Sequence, residues 1–221
     1  MSPLRHILCG WLILSLLIAN QGCALFVMAS KTILGDPLVD NAFKLRTGIN
    51  LQKEEKKVMV LCSIPESLRS QVAVLDKEVV DGVVRRFKSK NMMTINHDDV
   101  DKWLSKHGGI WESINEVAEN FEADFIIHVS LEQVTFLEPD SPHLYRGNST
   151  GSVTVYEVVE ETGFKRANQV FSHEYRSTYP RHFPISRDQT QERTFRENYV
   201  SRICDEIARL FYDYPGGDDV Y

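Results

Sequence analysis

The sequence lacks the features that announce a chemistry. It has no Gly-x-Ser-x-Gly, no Walker loop, no His-Glu-x-x-His and no dinucleotide fingerprint. Cysteine is scarce, four in 221 residues, and no pair is spaced Cys-x-x-Cys. That removes a zinc ribbon and a thioredoxin-like redox pair. There is no basic stripe either: 25 Lys and Arg are interspersed with 31 Asp and Glu, for a formal charge of −6. Phosphate backbones and anionic lipid surfaces both demand clustered positive charge. The balance therefore argues against nucleic acid as a partner and against electrostatic adhesion to a membrane. No cofactor is implied, and no internal repeat or low-complexity tract is visible.

Long apolar runs are also missing, with one exception at the start. Arg5 precedes an unbroken apolar stretch from Ile7 to Ala19, followed by Asn20-Gln21-Gly22-Cys23. A basic n-region, a short apolar h-region and a small residue before a cysteine read as an export signal. Gly22-Cys23 resembles the cleavage and lipidation site of bacterial lipoproteins, which would make Cys23 the first mature residue and the lipid attachment point. Asn20 and Gln21 depart from the usual Leu and Ala or Ser of that pattern. Two other readings remain open: cleavage after Val27-Met28-Ala29, or retention of residues 7–29 as an anchor. All three place the fold in the cell envelope, outside the cytoplasm. The leader contributes only Arg5, so the 199 residues after it stand at −7.

Residues 1–22 are thus a signal peptide, 23–57 a lipid-proximal linker, 58–214 an α/β domain and 215–221 a tail. The linker is not rich in Gly, Ser or Pro, and its scattered apolar residues, Phe43 among them, suggest that it packs on something. Val58 to Cys62 is a short apolar run that reads as a strand buried on both faces. Ser63 and Glu66 have capping-box spacing. Val72, Leu75, Val79, Val83 and Phe87 share a helical face, which Gly82 weakens without breaking. Met92–Ile95 reads as a second short strand. Asn96 caps a helix carrying Val100, Trp103 and Leu104, and 112–121 forms another. Phe125 to Phe136 alternates as a strand. Residues 138–151 read as a long polar loop. Val153–Val159 and Val170–Tyr179 pair through Glu161-Thr162-Gly163, a connection that Arg166-Ala167-Asn168 would lengthen, and Thr194–Tyr214 is the last helix. The order β-α-β-α-α-β-β-β-α predicts a single α/β domain with a mixed sheet of about five strands and helices packed on it. Cys62 and Cys204 sit in apolar surroundings and read as two separate buried thiols.

With these elements in place, Glu116-Val117-Ala118, Ala123-Asp124-Phe125-Ile126-Ile127 and the turn at Thr162-Gly163 carry a resemblance. The chain from Val58 to Tyr214 resembles the domain shared by the curli-secretion channel lipoprotein, the lipoprotein activators of penicillin-binding proteins and the N-terminal domain of the Tol translocation protein. The resemblance implies a fold that works by binding proteins or assembling, without catalysis. Its expected partners are the membrane, through the lipid or anchor, and envelope proteins; a homo-oligomer stays open. The long inserted hairpins of the curli channel have no counterpart in the pattern.

Two stretches could carry chemistry. His97-Asp98-Asp99 with Asp101 is a dense run of metal-ligand types, but acids in a first helical turn serve the helix dipole. The segment Glu138–Arg146 contributes Glu138, Asp140, His143, Tyr145 and Arg146. It is read as a partner-contact loop, with an acid–base pair of Glu138 and His143 as the rival hydrolase reading. His128 reads as a core or sheet-face histidine.

Overall fold

A computed structural model describes residues 38–69 and 74–216. Cys23, the signal peptide, Val72 and most of the tail lie outside them. Two units are distinguished. In the smaller, β1 (Leu38–Val39) pairs antiparallel with β7 (Tyr214–Pro215). The larger spans 40–213 and holds everything else.

That larger unit opens with α1 (Ala42–Thr47), inside the segment expected to link. Asn41 caps it, its side chain accepting from the Lys44 N–H, and Gly48 closes it at φ 76°. Phe43 is fully buried and meets Phe125, Phe171 and Phe211 edge-on or tilted. Phe43, with Leu51 further along, therefore belongs to the core, whereas Leu38, Val39 and Leu45 are exposed.

The sheet follows from the alternation. β2 (Val58–Ser63) runs parallel to β3 (Phe125–Glu138), and β3, β4 (Ser141–Glu161) and β5 (Phe164–Tyr179) are antiparallel neighbours. β6 (Ile185–Ser186) pairs with the start of β4, completing a five-stranded mixed sheet. The helices are α2 (Glu66–Arg69), α3 (Leu75–Ser89), α4 (His97–Lys106), α5 (Ile114–Asn120) and α6 (Glu192–Ala208). Met59, Leu61 and Ile126 on one sheet face pack with Val100 of α4 and Val117 and Ala118 of α5. Leu75, Val79, Val83 and Phe87 of α3 are fully buried, as the 3.6-residue spacing predicts.

Five expectations change. The last helix, expected to run to Tyr214, ends at Ala208, and Tyr214 belongs to β7. Residues 138–151 are not a loop: β3 and β4 continue to a two-residue turn at Pro139-Asp140, where Glu138 faces Ser141 and Asp140 has φ 59°. The core-facing positions there are Gly147, Ser149 and Gly151, which look like loop chemistry but face bulk supplied from elsewhere. A Cβ on Gly147 would stand under 3.0 Å from the Tyr199 ring, and one on Gly151 would strike the Ser130 carbonyl. β5 begins at Phe164 rather than Val170, because Thr162 (φ 52°) and Gly163 (φ 85°) alone make the turn. Met92–Ile95 shrinks to a single parallel bridge of Thr94 with Val58, after which Asn96 caps α4. Ser63 caps nothing: it is the last residue of β2, and its hydroxyl bonds His128. The β3–β4 and β4–β5 hairpins are thus longer than the sequence pattern showed.

Two packing consequences can be measured. Gly147→Ala is expected to destabilise the fold by about 1–3 kcal/mol through overpacking against Tyr199, read as a lowered denaturant midpoint with unchanged slope. Tyr199→Phe keeps the ring and removes only the hydroxyl bonds to Ser149 (2.9 Å) and Ser177 (3.3 Å), and is expected to cost about 1 kcal/mol.

Candidate functional site

The β3–β4 turn, the start of β4 and the 180–187 segment converge at one end of the sheet. Arg146 organises it. Its guanidinium meets Glu138 at 3.3 Å and donates to the carbonyls of Arg181 (3.0 Å) and His182 (3.3 Å). Both side chains are about one-quarter exposed, so the pair is screened less than a surface ion pair. Held in this way, the 181–183 backbone presents Phe183, which is 82 % exposed. Leu137 near the end of β3 is also exposed, as are Asp140 on the turn and His143 at the start of β4.

The five residues singled out from sequence divide by role. Glu138 and Arg146 are partners, Asp140 and His143 face solvent, and Tyr145 is buried. Tyr145 stacks on Phe195 of α6 at 4.9 Å, and its hydroxyl accepts from Arg187 at 3.3 Å. It anchors β4 to α6 and offers no surface. Glu138 turns to Arg146, so the imagined Glu138–His143 acid–base pair does not form. Phe183 was missed because a lone Phe between Pro180 and Pro184 carries no periodic signal.

The His97–Asp101 run does not converge as a whole. His97 Nε2 stands 2.9 Å from Asp81 of α3 and 3.4 Å from Asp98, while Asp99 pairs with Lys102 and Asp101 with Lys77 at 2.9 Å. Among the described residues no three His, Cys, Asp or Glu side chains are grouped to hold a metal. A cleft of about 630 Å³ between α3 and α6 is lined by Glu78, Arg86, Arg196, Cys204 and Asp205. Within it Arg196 pairs with Glu78 at 2.7 Å and Arg86 with Asp205. Burial pushes the Cys204 thiol up to about 12, which leaves it protonated and inert. Cys204 and Cys62 are both free thiols.

One close pair escaped the sequence reading: Ser63 Oγ and His128 Nε2 lie 2.8 Å apart across β2 and β3. Trp111 meets the imidazole edge-on at 5.6 Å. Strand register makes Ser63 the diagonal neighbour of His128, a relation that only pairing reveals. Burial lowers the His128 pKa below 6.5, so the ring is neutral near pH 7.

Three comparisons with known proteins bear on the chain. No protein-family model matches it, and the search of curated proteins found no match. Among solved structures it is similar to the PelC dodecamer of Paraburkholderia phytofirmans (9% identity, 80% of this chain and 98% of that one, TM-score 0.35). It is also similar to the hypothetical protein CT253 of Chlamydia trachomatis (15%, 71% and 98%, TM-score 0.39) and to the lipoprotein GNA1162 of Neisseria meningitidis (11%, 69% and 98%, TM-score 0.33).

The neutral histidine sets a pH dependence. With its folded pKa lowered, His128 takes up its proton more readily in the unfolded chain. Stability is therefore full above about pH 6.5 and declines as the pH falls below it. His173, lowered by burial and then by Arg46, acts in the same direction. The melting midpoint should fall between pH 7 and pH 5, and His128→Gln should flatten that slope.

Proposed function

We propose that the chain is a membrane-anchored cell-envelope lipoprotein that acts as a binding or assembly module, tethered by lipid on Cys23 and meeting an envelope protein through the Arg146-clamped end of the sheet. The tether is read from Arg5, the apolar run and Gly22-Cys23. More than one acyl chain makes such anchoring stable, at about 0.8 kcal/mol per buried CH₂. No helix among the described residues is long and apolar enough to cross a membrane.

The observation that carries the binding role is Phe183. A large aromatic that is 82 % exposed on a backbone fixed by two Arg146 bonds is pre-organised, so little ordering opposes its insertion into a partner's pocket. Asp140 and His143 lie on the same end as candidate polar contacts around it. Glu138 and Arg146 act indirectly, by holding the loop.

Two measurements test this reading. Mass spectrometry of the mature N-terminus should find acylated Cys23, and Cys23→Ala should leave the membrane fraction; a mature chain starting at Ser30 would refute lipidation. Phe183→Ser should lower recovery of envelope partners by about tenfold or more, with the melting temperature unchanged because an exposed side chain contributes little to stability. Equal recovery of partners by the wild-type and Phe183→Ser chains would discard this surface.

A further inference from the structure

β5 is the outer strand of the sheet, and its two halves differ. In the first half the open side is occupied: the Ala167 N–H donates to Asn115 Oδ1 at 2.9 Å, and α5 lies alongside. Further on, the Ser172 carbonyl faces outward and accepts from Arg46 at 2.7 Å. Backbone groups of a strand alternate in direction residue by residue, and β5 runs without register shift from Phe171 to Tyr179. The N–H and C=O of Glu174, Arg176 and Thr178 therefore also point outward. Among the described residues no strand pairs with them.

Native sheets usually guard such an edge with proline, a bulge or charge. Here the side chains at these positions read Ser172, Glu174, Arg176, Thr178, the first three exposed and the last half-buried, with both signs of charge in sequence. Turned about a two-fold axis through Tyr175, that order is its own complement. Glu174 comes opposite Arg176 of a second copy, and Ser172 opposite Thr178. Opposite charges and hydroxyl pairs are the favourable cross-strand combinations. The Tyr175 ring leans over Gly151, where a Cβ would meet its Cε1 at 2.8 Å, and so away from the edge.

We propose that this edge pairs antiparallel with the same edge of a second copy of the chain, about a two-fold axis at Tyr175. The two pairs formed by Glu174 and Arg176 are hydrogen-bonded pairs and supply four backbone bonds. Arg46, on the Ser172 carbonyl, ends the pairing on each side. The result is one sheet continuous across two copies. The inference does not rest on the tether: a chain without lipid would pair in the same way.

The experiment uses the full chain in detergent, with self-association followed over a concentration series. Glu174→Arg and Arg176→Glu each set like charges opposite one another at both symmetric contacts, and each should weaken self-association about tenfold. The double reversal restores complementarity and should recover the wild-type value. A second arm fixes the register. Opposite residues in a hydrogen-bonded pair lie about 5.5 Å apart between Cα atoms, within disulfide reach. A mixture of Glu174→Cys and Arg176→Cys chains should cross-link on oxidation well above either chain alone or the wild type. A chain that is monomeric at every concentration, single reversals without effect, or a mixture that cross-links no better than its components would each overturn the proposal.

Discussion

The fold depends on how closely α6 approaches its neighbours. On the sheet side the Tyr199 ring lies against Gly147, at a separation no side chain on β4 would allow. On the helix side Cys204 lies against Gly82 of α3, where a Cβ would again stand under 3.0 Å from its sulfur. One helix is thus pressed between two glycines. Each glycine costs conformational entropy within its element, and the aromatic and sulfur packing it permits offsets that cost. The Tyr199 hydroxyl, taken into the interior, is satisfied by Ser149 and Ser177, as a buried polar group must be.

That seating is transmitted to the surface. Phe195, one turn before Tyr199, stacks on Tyr145, so β4 is held on α6 from its first residues onward. Arg146, next along the strand, then reaches Glu138 and the 181–182 carbonyls from a fixed base. Exposed Phe183 is therefore the end of a chain of rigid contacts, and the surface it makes is preformed. Charged residues elsewhere are committed locally: Asp99 and Asp101 of α4, and Arg86 and Arg196 of the α3–α6 cleft, each meet an opposite charge. The arrangement is one of positioning.

The same length of strand serves two surfaces. β4 and β5 run from the Thr162-Gly163 turn to the Arg146 end, so the hairpin that leads to the exposed aromatic end also carries the edge of β5 that no strand among the described residues pairs. Twist and bulges bound each of them. The shift at Val155/Tyr156 separates the covered part of the edge from the open part, and the irregularities between Leu131 and Glu138 bend the far end of β3.

Where side chains announce their own burial, the sequence alone determined the structure. The continuous run Val58–Leu61 is buried on both faces, and the Leu75–Phe87 face, the alternation from Phe125 and the Phe195–Ile207 face repeat apolar residues at the period of their element and are buried as that period requires. A mixed sheet followed from their order, as did the turn at Thr162-Gly163, although its fifth strand is β6 rather than Met92–Ile95. Tertiary structure decided what those periods could not carry. The first half of β4 has Gly147, Ser149 and Gly151 facing the core, and read alone these are loop residues; Tyr199, fifty residues away, supplies the bulk that makes them a strand. Met92–Ile95 has strand residues but finds only Val58 to bond. Tyr145 had looked like a contact residue until Phe195 covered it, and Phe183 became conspicuous only when Arg146 fixed its loop. In each case the deciding atom comes from a distant part of the chain, and a local pattern contains no record of the volume another element will fill.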